Sequence, residues 1–273
     1  MKKTVIAIAV LATGLAAAAP ETALAAFRGA QGTIRISGGT AHIPVMKEAA
    51  KRIMTSNPDV RISIAGGGSG VGIQQAGEGL VDLGNAGRAA TDQEVGKYGL
   101  VQTKWAIDGV GVVVHPGNPV GALTGGKLIE VFAGRITNWK DLGGPDRPIA
   151  VYTRDEASGT REVFWKKALE KGAILARANV VSSNGAMKTA VGGNPNAIGY
   201  VSVGHIDSSV KAVAVDGIAP TLDNVKSGRY AIARGLYSNT KGEPRGLAAK
   251  LLGYLLSEEG QALVGSKGFV PVN

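Results

Sequence analysis

The chain has no cysteine, so disulfide staples, thiol catalysis and thiolate metal sites are excluded and stability must come from a packed core. Its three histidines, His42, His115 and His205, are scattered with none paired at metal-ligand spacing. Each therefore reads as a core or surface residue, and no metal or other cofactor is expected. Aromatic residues make up only 5% of the chain, and no long run of lysine and arginine accompanies the formal charge of +9. With few stacking platforms and no basic stripe, a nucleic-acid partner is not expected. A diffuse positive field favours anions, although most of these charges read as a solvated surface. Glycine and proline, 41 and 11 of 273 residues, fall short of the roughly 25–30% that marks disorder. The composition describes a folded, glycine-rich chain long enough for one large domain or two of ordinary size.

Long apolar runs are also scarce, with one exception at the start. Met1-Lys2-Lys3 carries positive charge, Thr4 to Ala19 is almost purely apolar, and Ala23-Leu24-Ala25 offers an A-x-A cleavage site. These are the parts of a secretory signal peptide, shorter than the roughly 20 residues of a spanning helix. Residues 1–25 are expected to be removed near Ala25/Ala26, leaving a periplasmic, exported protein. Loss of Lys2, Lys3 and Glu21 with that segment lowers the formal charge from +9 to +8.

From Thr33 onward short β-rich runs alternate with helix-period segments, the pattern of a parallel or mixed sheet flanked by helices. Strands are expected at Thr33–Ser37, Val60–Ala65, Val81–Ala86, Val110–Val114, Ile149–Tyr152, near Val180, at Ile198–Val201 and at Val210–Val215. Helices are expected over Thr40–Thr55, after Ser69, from Thr91 or Asp92, and over Lys127–Ala133, Ser158–Lys171, Leu247–Leu256 and Glu258–Val264. The turn-rich His115-Pro116-Gly117-Asn118-Pro119 suits a crossing between two lobes, and Val210–Val215 suits the return. The organisation expected is a first lobe of residues 27–112 plus 216–273 and a second lobe of residues 113–215.

Three segments place small residues and hydroxyls where a strand gives way to a helix: Ser37-Gly38-Gly39-Thr40, Gly66-Gly67-Gly68-Ser69-Gly70 and Arg154-Asp155-Glu156-Ala157-Ser158-Gly159-Thr160. A helix N-terminus presents unpaired N–H groups and about half a positive charge, and glycine lets the backbone approach an anion closely. Any one of them could be an ordinary capped helix. Together they suggest convergent donors: hydroxyls from Thr40, Ser69, Ser158 and Thr160, with Arg154 or Arg161 supplying a guanidinium fork that matches two oxygens of a tetrahedral anion. Catalytic motifs do not fit. Neither Ser69 nor Ser158 sits in a G-x-S-x-G elbow, Leu128 replaces the Ser/Thr of a P-loop begun at Gly121, and the Gly66–Gly72 cluster lacks the final glycine of a dinucleotide fingerprint. Trp105, Trp139 and Trp165 read as core or lobe-surface aromatics.

Nearly the whole mature chain resembles the phosphate-binding proteins of bacterial phosphate-uptake ABC transporters. The resemblance is carried by Arg154…Ser158-Gly159-Thr160-Arg161, Ile136-Thr137-Asn138-Trp139-Lys140-Asp141, Ala197-Ile198-Gly199-Tyr200-Val201 and Val81-Asp82-Leu83-Gly84-Asn85-Ala86. It implies an α/β, two-lobe, type II-like periplasmic-binding-protein fold, each lobe a mixed sheet flanked by helices, with hinge crossovers between them. It further implies capture of inorganic phosphate, delivery to a membrane ABC permease, and no catalysis; a monomer is expected. Carried over by position, Thr40 and Ala41 match the first family motif, Ser69 the second, and Arg154, Ser158, Gly159 and Thr160 the third. One position departs: where the family commonly has aspartate or serine, this chain has Gly87, followed by Arg88. Both are included among the expected ligand residues, although glycine cannot take a proton from hydrogen phosphate. A broader oxyanion binder for sulfate, arsenate or tungstate therefore stays open, as does an exported phosphatase-like enzyme. Glu156 is expected to orient Arg154.

Overall fold

The computed structural model describes residues 22–273; most of the expected signal segment lies outside them. A 3-10 turn, Ala23–Phe27, seats Phe27 in the first of two large cores, fully buried. The chain continues through β1 (Gly32–Gly38), α1 (Ile43–Ser56), β2 (Val60–Gly67), α2 (Ser69–Gly77), β3 (Leu83–Ala86), α3 (Asp92–Tyr98) and β4 (Leu100–Val114). Then come β5 (Ala122–Leu123), α4 (Gly125–Phe132), β6 (Ala150–Arg154), α5 (Gly159–Lys167), β7 (Asn179–Val181), α6 (Asn184–Gly192), β8 (Ala197–Ser202), β9 (Lys211–Val215) and α7 (Leu222–Lys226). Strand β10 (Ala233–Lys241) and helices α8 (Gly246–Leu256) and α9 (Glu258–Ser266) close the chain.

The strands lie in the order β2-β1-β3-β10-β4-β8-β6-β7, with β9 pairing β4 and β5 to the side. Pairing is parallel for β2-β1-β3 and for β8-β6-β7, and antiparallel on either side of β10 and between β4 and β8. The elements form where apolar periodicity meets a stop signal. Helix α1 buries Met46, Ala49, Ala50 and Ile53 on one face and ends at Asn57 before Pro58. Helix α3 is started by a capping box in which the Thr91 side chain accepts from Glu94 N–H while Glu94 reaches back. Helix α5 stops at Lys167, short of the expected Lys171, because Glu170 and Lys171 take positive φ of 49° and 62° and turn the chain out of the helix.

The first core gathers Ile34, Ile36, Met46, Trp105, Leu236, Tyr254 and Phe269, and the second Val112, Leu128, Phe132, Trp139, Phe164 and Tyr200. Phe164 and Tyr200 stack at 4.1 Å, and each such fully buried side chain contributes roughly 1.5–3 kcal/mol. Trp105 and Trp139 are buried as expected, and Trp165 is half-buried.

The two cores meet along one strand. Residues Leu100–Gly109 of β4 pair with β10, and Val110–Val114 pair with β8. The chain thus passes between cores inside β4, ahead of the His115–Pro119 turn, because β4 runs on as one strand where its partner changes from β10 to β8. Segment 216–232, expected in the first lobe, packs elsewhere: Leu222, Val225, Tyr230 and Ile232 join the second core. Tyr230 donates its hydroxyl proton to Val110 O at 2.9 Å, and Val110 N–H donates to Ile232 O at 2.8 Å. Strand β9 likewise pairs with Val112–Val114, so it does not return the chain to the first core.

Candidate anion-binding site

The parallel strands β1, β2 and β6 all end against one point, the crevice at strand C-termini where α/β sheets collect ligands. After β1 comes the Thr40–His42 3-10 turn, after β2 the start of α2 at Ser69, and after β6 the start of α5 at Gly159. They enclose a cavity of about 10 Å³ lined by Gly39, Thr40, Ala41, Gly68, Ser69, Gly87, Arg154, Ser158, Gly159, Thr160 and Arg234. That is far below the roughly 300–1,000 Å³ of a drug-sized pocket, so only a small ligand fits.

Each hydroxyl on the wall has its oxygen engaged by an N–H. Thr40 Oγ1 accepts from Asn184 N–H at 3.1 Å and from Asn184 Nδ2 at 3.0 Å. Ser69 Oγ accepts from Gly87 N–H at 2.9 Å, Ser158 Oγ from Arg161 N–H at 3.2 Å, and Thr160 Oγ1 from Asn184 Nδ2 at 3.4 Å. A hydroxyl has one proton, and an oxygen that already accepts is turned so that its O–H can point elsewhere. Four such groups on one small cavity make a ring of donors. The capping bond from Ser158 also satisfies Arg161 N–H, leaving the first α5 donors, Gly159 and Thr160 N–H, at the positive end of the helix.

Arg154 is 2% exposed. Its Nε donates to Val181 O and its Nη2 to Ser182 O, both at 2.9 Å, whereas its buried Nη1 has no partner in the protein. Backbone carbonyls thus fix the guanidinium plane and leave one nitrogen for the cavity. Burial draws this guanidinium below its ordinary arginine value, against the pull of Asp155, yet an arginine stays charged at physiological pH. The neighbouring carboxylate is Asp155, with Oδ2 at 3.8 Å from Nη2; Glu156 is exposed and does not orient Arg154.

Expected residues Thr40, Ala41, Ser69, Gly87, Arg154, Ser158, Gly159 and Thr160 all line the cavity. Arg88 does not. Its Nη1 and Nη2 hold Glu94 at 2.7 and 2.8 Å, and its Nε holds Glu162 at 2.8 Å. That pairing keeps the Glu94 carboxyl down at about 2. Arg161 is likewise absent from the wall.

Three contributors escaped sequence reasoning. Arg234 lines the cavity from the start of β10, held by Asp108, whose Oδ2 accepts from Arg234 Nε at 3.0 Å and Nη2 at 2.8 Å. Burial pushes the Asp108 carboxyl up, and Arg234 opposes that. Asn184, fully buried, bridges Thr40, Thr160 and Ser202 N–H. The available signals were an arginine beside Gly235 and an asparagine after Ser182-Ser183, both ordinary in loops.

The cleft is closed by contacts between residues of the two halves. Gly70 N–H donates to Ala157 O at 3.0 Å, and His205 Nε2 lies 3.2 Å from Thr40 O. Gly68 allows this approach: its φ is 89°, and a Cβ there would lie 2.6 Å from Ala157 O. Burial first, with Arg234 adding to it, draws the imidazole of His42 down to about 3, and burial first, with Lys188 and Arg234 adding to it, draws that of His205 to about 4.

A PBP superfamily domain matches residues 25–259. The chain is 38% identical over 246 residues to the phosphate-binding protein PstS of Bacillus subtilis, covering 89% of this chain and 82% of that protein. It is 28% identical to PstS of Pseudomonas aeruginosa, covering 100% of this chain and 95% of that one. Among solved structures, a putative phosphate ABC transporter substrate-binding protein with bound phosphate from Clostridium perfringens superposes with a TM-score of 0.83 at 36% identity, over 89% of this chain and all of that one. An ABC-type phosphate transport receptor from Vibrio cholerae superposes at 0.68 with 33% identity, over 87% and 99% of the two chains. With this match in sequence and shape, the chain belongs to the PBP superfamily, among the phosphate-binding proteins of ABC phosphate transporters.

Proposed function

We propose that this protein captures inorganic phosphate in the cavity between its two halves and delivers it to a membrane ABC permease from outside the cytoplasm. The observation that carries the ligand class is the donor ring: four hydroxyls turned by N–H groups on their oxygens, with the free Nη1 of Arg154 beside them. Such a wall suits a small tetrahedral anion, in a site where charge-assisted hydrogen bonds are strong. The relatives, phosphate-binding proteins and substrate-binding proteins of ABC transporters, supply phosphate as that anion, and membership of that family implies the transporter's permease as partner. The apolar start with its A-x-A site supports export, and among the described residues no helix is long and apolar enough to cross a membrane.

Capture without turnover is the reading that the contacts support. The oxygens of Ser69 and Ser158 accept from backbone N–H groups, and His42 and His205 face backbone carbonyls, so neither serine has the adjacent base that activates a nucleophile. The hinge we assign to Gly109–Val110, where β4 changes partner from β10 to β8, and to Ile232–Ala233, where the chain enters β10. Closure brings both sets of donors onto one ligand, which biases the hinge toward the shut state.

Isothermal titration of ligand-stripped protein with phosphate tests this. Tight one-to-one binding is expected, weakened about ten- to a hundredfold in Arg154→Ala, the equivalent of roughly 1.5–3 kcal/mol for a charge-assisted hydrogen bond. Absence of phosphate heat in the wild type refutes the function, and unchanged affinity in a folded Arg154→Ala refutes the site.

A further inference from the structure

Position 87 and Arg234 occupy the same space. A Cβ on Gly87 would lie 2.6 Å from Arg234 Nη1 and 2.9 Å from its Cζ, contacts that real side chains do not make. Any side chain at 87, including one able to accept a ligand proton, is therefore incompatible with the arginine where it stands. Arg234 is held there firmly. Nε and Nη2 both grip Asp108 Oδ2, Asp108 Oδ1 accepts from the Ser202 hydroxyl at 2.9 Å, and the side chains of the ion pair are 3% and 0% exposed. Nη1 reaches only Gly87 O, at a long 3.4 Å, and the residue lines the cavity. Its charge bears on what surrounds the cavity, acting against protonation of His42, His205 and Arg154.

We propose that Arg234 is a second guanidinium ligand and the specificity-determining residue of this pocket, filling the space that a side chain at position 87 would need. The proposal rests on the anion-capture reading above and refines it. With Arg234 in place, every side-chain polar group lining the cavity is a donor, and both oxygens of the nearby Asp108 are engaged by Arg234 and Ser202. The pocket reads four acceptor oxygens and has no carboxylate to test for a ligand proton. Sulfate, which carries none, then competes with phosphate instead of being repelled.

The test is titration of the stripped wild-type protein with phosphate, then competition by sulfate at neutral pH, repeated on Arg234→Lys and on Arg234→Ala/Asp108→Ala. The double variant removes both partners and so leaves no buried unpaired charge. Sulfate is expected to displace phosphate with an affinity within about a hundredfold, and both anions to weaken about tenfold or more in each variant, with Tm of the lysine variant kept near wild type. Phosphate binding that ignores a large excess of sulfate overturns the specificity claim while leaving phosphate capture intact. Unchanged phosphate affinity in either folded variant overturns the ligand role. If the wild type binds neither anion, the capture reading itself falls, a result distinct from both.

Discussion

Asn184 shows how one buried side chain can set the chemistry of others. Its Nδ2 gives protons to Thr40 and Thr160, its backbone N–H gives another to Thr40, and its Oδ1 accepts from Ser202 N–H. Asn184→Ala leaves the Ser202 N–H unpaired, which costs about 1–3 kcal/mol, and frees the Thr40 hydroxyl to rotate away from the ligand. Thermal melts together with titration are expected to show a lower Tm and phosphate affinity reduced about tenfold. Most residues of the cavity were legible in the sequence because their type states their use: a hydroxyl after glycines at a strand end serves as a helix-start donor in any fold. Arg88 misled for the opposite reason. An arginine beside the site is an anion ligand only if no carboxylate reaches it first, and Glu94 and Glu162 both do.

Helices α3 and α5 separate capping from binding. Both begin with a side-chain oxygen that accepts from an N–H three residues on, Thr91 for one and Ser158 for the other. Ser158 also lines the cavity, whereas Thr91 is exposed and away from it. Replacing either by alanine removes a cap, about 1 kcal/mol. Denaturant titration is therefore expected to find similar destabilisation in Thr91→Ala and Ser158→Ala, and calorimetry to find weakened phosphate binding only in Ser158→Ala. Strands with alternating or continuous apolar residues were readable. Strand β10 was not, because its buried positions include Arg234, Ser238, Asn239 and Thr240, which carry polar atoms to partners across the sheet. The first half of β4 was hidden in the same way by Gln102, Thr103, Lys104 and Asp108. Missing β10 meant missing Arg234.

Acid should loosen the whole molecule before its carboxylates titrate. His42 and His205 are held neutral, with folded values of about 3 and 4 against 6.5. The unfolded chain takes up those protons below pH 6.5 and the folded chain does not, so stability is full above 6.5 and falls as pH drops toward 4. The slope is about 1.4 kcal/mol per pH unit for each imidazole in the middle of that window. Urea midpoints measured from pH 7 to 4.5 are expected to decline accordingly, and less steeply in His205→Gln.

The placement of β10 also bears on how the protein is made. It lies between β3 and β4, which do not pair with each other, yet it is the last strand to leave the ribosome or an export channel. A chain emerging N-terminus first can assemble most of its second half from Val110 to Ile232, with Val270 still to join that core, while the first half still lacks its central strand. The half that begins the polypeptide is thus the half that finishes folding, with the edges of β3 and β4 left open until residue 233 arrives.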